Sequence, residues 1–141
     1  MNISKEQVLE IIRLADECEE KYRFTQGEPA TAYSFKELIE REKTPEGIAY
    51  SNAKRMLTEY LDALEYSMLI EVETLMAYGR AYLQCDYPPT VENCFLNYKT
   101  NDNKPEGKPL AISYIAGKIP LGKYLKEALL HCNLERLSLD V

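Results

Sequence analysis

Tyr66-Ser67-Met68-Leu69-Ile70-Glu71-Val72-Glu73-Thr74-Leu75-Met76-Ala77-Tyr78-Gly79-Arg80 is the stretch on which the fold turns. Met68, Leu69, Val72, Leu75, Met76 and Gly79 recur at three- and four-residue steps, the spacing of one stripe on an α-helix. Glu71 and Glu73 fall outside that stripe. The segment is expected to be the core helix. It specifies architecture and carries no catalytic signature.

Outward from it, other helices announce themselves by their ends. Ser4 with Gln7 makes a capping box, and Ile3 is placed to staple against Val8. Val8, Ile11, Ile12, Ala15, Cys18 and Tyr22 then share a face, so the first helix is expected to run to about Arg23. Gln26-Gly27-Glu28-Pro29 reads as a turn, and Ser34-Phe35-Lys36-Glu37 repeats the capping pattern before a short second helix. Thr44 and Pro45 open a longer one, because proline at the first helical position has no N–H to leave unsatisfied. Its buried side is expected to hold Ile48, Met56, Leu57, Tyr60, Leu61 and Leu64, with a break between Leu64 and Ser67.

Residues 85–108 read as irregular, apart from helical spacing of Val91, Cys94, Phe95 and Tyr98. Pro109 starts a short helix carrying Leu110, Ile112, Ile115 and Ala116, and Gly117 ends it. Pro120 starts the next, with Leu121, Leu125, Ala128, Leu129 and Cys132. The segment 134–141 is open between helix and strand. No part shows sustained period-two alternation, so the expected fold is all-α: one compact domain over 1–141 with about six or seven helices.

A chain of 141 residues with 45% hydrophobic side chains can bury a core without disulfides or a structural metal. Cys18, Cys85, Cys94 and Cys132 form no C-x-x-C pair and have only His131 to assist them, so they read as reduced thiols. Cys85 and Cys94 flank a proline loop, and a bridge between them would be unneeded. The net charge of −6 speaks against a nucleic-acid surface, which needs clustered Lys and Arg. Residues 1–66 hold 9 basic and 14 acidic side chains, so the N-terminal half is the acidic one. No run is long and apolar enough for a bilayer, and the start lacks a secretory pattern, which makes the cytoplasm the expected location.

Three places carry a resemblance to a bacterial family, the domain of unknown function 3775. They are Ile3 to Ile12, Leu75-Met76-Ala77-Tyr78-Gly79-Arg80, and Ile119-Pro120-Leu121-Gly122-Lys123-Tyr124-Leu125. The family's pattern continues past the arginine with glycine and aspartate, where this chain has Ala81 and Tyr82. The resemblance implies a small helical domain and names no activity.

Arg80 lies between Tyr78 and Tyr82 in sequence, and a guanidinium there could stack on a ring or clamp a carboxylate or phosphate bidentately. The bland counterpart is an arginine that ties two helices through an acidic partner. Tyr78, Arg80 and Tyr82 are therefore the candidate binding residues of a non-enzymatic module for a protein partner or small ligand, with a homodimer as one form. Eleven tyrosines with no tryptophan also suit either a binding groove or a core whose hydroxyls reach the surface.

One alternative is a magnesium-dependent nucleotide pyrophosphohydrolase, with Glu17 and Glu20 facing Glu59 and Asp62 as metal ligands. A second is an acidic inhibitor that mimics an anionic surface for a basic protein. The leading expectation needs no cofactor, no resident metal and no catalytic residue. His131 and Cys132, adjacent in sequence, would point about 100° apart on a helix and make no obvious thiolate pair.

Overall fold

The computed structural model describes residues 2–26, 43–94, 107–118, 120–132 and 134. Among these the protein is all-α: α1 (Lys5–Gln26), α2 (Pro45–Asp62), α3 (Tyr66–Gln84), α4 (Lys108–Ala116) and α5 (Leu121–His131), with a helical turn at 91–94 and no strand. The expected helix at Ser34, Phe95 to Lys99, and the tail from 135 lie outside the described residues.

The starts of α1 and α2 follow from their caps. Ser4 Oγ accepts from the Gln7 N–H at 3.1 Å, and Gln7 Oε1 accepts from the Ser4 N–H at 2.9 Å. Ile3 and Val8 are both buried, as a hydrophobic staple requires. The helix runs three residues past Arg23, to Gln26, and Arg23 pairs with Glu19 one turn back at 2.8 Å. Thr44 Oγ1 accepts from the Gly47 N–H at 3.1 Å ahead of Pro45 in the first turn of α2.

The break after α2 needs neither proline nor glycine. The Leu64 N–H reaches back to the Leu61 carbonyl, Leu64 turns into the core, and Glu65 becomes extended (φ −68°, ψ 151°) to start α3. One expectation for α2 is corrected: Ile48 and Met56 are exposed, at 51% and 45%. The stripe used is Ala53, Leu57 and Leu61, and Met56 sits about 100° round the helix from Leu57. In α4, likewise, Leu110 is exposed while Ala111 is fully buried.

The opening stretch is the core helix, but its Glu71 and Glu73 are not outside the core. Every residue from Glu71 to Met76 is buried, followed by Tyr78 and Gly79; Glu71 is 4% exposed and Glu73 0%. Through this middle part the helix is enclosed on every side, and its exposed positions lie towards its two ends. Glu71 instead holds the N-terminal arm: its carboxylate accepts from the Asn2 N–H at 2.8 and 3.0 Å and from the Ile3 N–H at 3.2 Å.

The principal packings close a ring in the order α1, α2, α4, α3, α5 and back to α1. The pair α1 and α2 is antiparallel, since Tyr22 meets Tyr50 (ring centroids 5.5 Å) while Glu10 lies near Tyr60. The pair α3 and α5 is parallel, with Gly79 against Tyr124 and Ala128, and Tyr82 one turn further on against His131. Among the described residues no helix is long and apolar enough to cross a membrane.

Candidate ligand-binding cleft

Tyr78, Arg80 and Tyr82 share a sequence stretch but not a face. At about 100° per residue, Arg80 points roughly opposite to both tyrosines. Tyr78 is buried and its hydroxyl donates to the His131 carbonyl at 3.2 Å. Tyr82 meets Tyr78 edge-on, centroids 5.1 Å apart, and stacks flat on the His131 ring at 3.7 Å. His131 Nε2 in turn lies 2.9 Å from Glu127 Oε1, one turn back on α5. The two tyrosines therefore knit α3 to α5. Burial first, then the hydrogen bond with Tyr82, pushes the Tyr78 phenol well above its ordinary value.

Arg80 is exposed on the other side, where Ala77, Arg80, Ala81 and Gln84 fall at the three- and four-residue spacing of a single helix face. That face forms one wall of a cleft of about 250 Å³. Tyr114 from α4, Lys118 just beyond it and Tyr124 from α5 line it too, with Met76 and Cys85 completing it. The Lys118 ammonium stands 4.8 Å from the centroid of the Tyr114 ring, a cation–π distance. Among the described residues Arg80 Nε reaches only Gln84 Oε1, at 3.4 Å. Among the described residues neither cation has a carboxylate within ion-pair distance, and no Asp or Glu of these residues lines the cleft.

The backbone geometry that brings these walls together depends on Gly79. A Cβ added there would lie 1.8 Å from the Tyr124 carbonyl oxygen and 2.7 Å from its carbon. The bare glycine lets α5 lie directly on α3. At the other end of α5, Gly122 rests against the Asp16 carboxylate of α1, which also takes the Lys126 ammonium at 2.5 Å.

The four carboxylates of the magnesium alternative do not converge. Glu17 pairs with Arg13 at 3.8 Å, Glu59 with Arg55 at 4.0 Å and Asp62 with Lys108 at 4.0 Å, while Glu20 is exposed. In the antiparallel α1–α2 pair, Cys18 is level with Lys54 and Glu10 with Tyr60, which places Glu59 and Asp62 about two turns from Glu17 and Glu20. Among the described residues no group of three or more His, Cys, Asp or Glu side chains is disposed to hold a metal ion.

All four cysteines are free. Burial pushes the Cys18, Cys94 and Cys132 thiols up, with the Glu92 charge adding to the effect at Cys132. Only Cys85, at the rim of the cleft, is exposed. A thiol-specific reagent at neutral pH is expected to label Cys85 within minutes and to reach Cys18 and Cys94 only on unfolding, as mass spectrometry of the labelled peptides would show. Because the folded pKa values of the buried thiols lie above the unfolded ones, their contribution to stability is complete below the unfolded value. It is lost as pH rises through the folded one, so the thermal midpoint should fall above about pH 8.5.

Comparison with protein-family models, with curated proteins and with solved structures finds no match to this chain.

Proposed function

We propose that the protein is a non-enzymatic module that binds a small ligand in the cleft beside Arg80. What supports this most is a concave, partly apolar space, assembled from α3, α4 and α5, that an exposed arginine enters without an acidic partner among the described residues. An arginine serving only to tie two helices would sit in a closed ion pair. Among the described residues the cleft's lining holds no carboxylate and no imidazole, the usual general bases, so binding is the chemistry those residues favour. Kinship with the domain of unknown function 3775 family rests on the sequence resemblance and belongs to the same proposal.

A thermal-shift screen against a metabolite panel tests this reading, since a ligand selective for the native state raises its apparent stability. At least one compound is expected to raise the midpoint of the native protein and to lose that effect in Arg80→Ala. A panel that shifts nothing, or shifts that survive Arg80→Ala unchanged, would overturn it.

A further inference from the structure

Resting on that reading, we infer that the ligand is a small organic anion of single-ring size, carrying a carboxylate or phosphate group bound between Arg80 and Lys118. The chain as a whole carries −6, and an anion approaching most of its surface meets a repulsive field. The cleft departs from that average: among the described residues it is lined by two cations and no acid. The guanidinium offers a planar fork that matches two oxygens of a carboxylate or phosphate, and its one polar partner among the described residues, Gln84 at 3.4 Å, is weak enough to exchange. Lys118 supplies a second, point-like charge, already poised over the Tyr114 ring.

The remaining walls define the body of the ligand. Met76, Ala77 and Ala81 are apolar, and Tyr114 and Tyr124 add aromatic walls. At about 250 Å³ the cleft exceeds the ~150 Å³ of a cavity that takes up benzene, so it has room for one substituted ring. Two cations without a metal-binding carboxylate set also suit one anionic group better than a chain of phosphates.

Isothermal titration with four single-ring probes tests the inference: benzoate, phenyl phosphate, neutral benzamide and cationic benzylamine. One or both anions should bind, at least tenfold more tightly than benzamide, with benzylamine silent, and the stronger anion identifies which group the site takes. Binding of that anion should fall at least tenfold in Arg80→Gln and in Lys118→Gln, both exchanges of side chains that hold no ion pair among the described residues, and should weaken as salt rises. Benzamide or benzylamine binding as tightly as the anions, and abolished by plugging the cleft with Ala81→Trp, would overturn the charge inference and leave the cleft itself standing. Anion binding that persists in the Arg80→Gln, Lys118→Gln double variant would overturn the assignment of the two cations. Failure of all four probes to bind, with none rescued at low salt, would overturn the inference, while a hit among uncharged metabolites in the wider screen would still keep the cleft.

Discussion

Gly79→Ala is expected to destabilise the protein by about 3 kcal/mol or more, the upper end for overpacking, because the added methyl has no space to enter. Its Cβ would overlap backbone, not a movable side chain: the Tyr124 carbonyl oxygen at 1.8 Å and carbon at 2.7 Å, with the Ala128 nitrogen at 3.1 Å. Relief requires α5 to move off α3 as a body. That movement would also unstack Tyr82 from His131 and break the bond from the Tyr78 hydroxyl to the His131 carbonyl. In thermal unfolding followed by circular dichroism the midpoint should drop by roughly 10 °C. Gly122→Ala is the internal comparison. Its Cβ would meet the end of the Asp16 side chain, which can rotate away at the expense of an exposed pair with Lys126, so a loss of about 1 kcal/mol or less is expected. Equal losses at the two glycines would contradict this account of the α3–α5 approach.

The second large effect is expected at Glu71. Its buried carboxylate accepts the Asn2 and Ile3 backbone N–H groups, and Ile3 is only 2% exposed. Glu71→Ala would leave those donors without an acceptor and a cavity in place of the side chain, which together should cost about 2–4 kcal/mol. Glu71→Gln should fall between, since an amide offers one acceptor where the carboxylate offers two and turns a donor toward the arm. Denaturant unfolding measures both losses. Faster hydrogen exchange at Asn2 and Ile3 would place the damage in the arm, whereas unchanged exchange there would mean that Glu71 acts elsewhere.

Much of the helical framework is legible in the sequence because it is written in local chemistry. Ser4 with Gln7, and Thr44 with Pro45, satisfy backbone groups within one turn, so their partners are neighbours in the chain. The role of Glu71 is not legible in that way, since its partners are 68 and 69 residues distant. Its burial was signalled, however, by the near-unbroken apolar character of α3, which outweighs a one-stripe reading of its period. Ile48 and Met56 show the opposite limit: apolar type alone does not give burial, because the stripe in use runs through the smaller Ala53 to Leu57 and Leu61.

The candidate site was legible only in part. Arg80 stands out in the sequence by its place at the end of the core helix, and it does line the cleft. Its grouping with Tyr78 and Tyr82 followed adjacency in sequence, and the 200° between them, two steps of about 100°, sends the rings to α5 and the guanidinium to the cleft. Tyr114, Lys118 and Tyr124 lie on separate elements, and nothing in their spacing to Arg80 marks them as neighbours. Likewise, the stack of Tyr82 on His131 joins helices that are far apart in the chain, although Glu127 four residues before His131 is a pairing the sequence does display.

Mapping amide chemical-shift changes on titrating the native protein with benzoate or phenyl phosphate locates the site most directly. Changes should concentrate at residues lining the cleft, among them Ala77, Arg80, Ala81, Gln84, Tyr114, Lys118 and Tyr124. Changes centred instead on Tyr82 and His131, on the far side of α3, or none at millimolar probe, would contradict that placement.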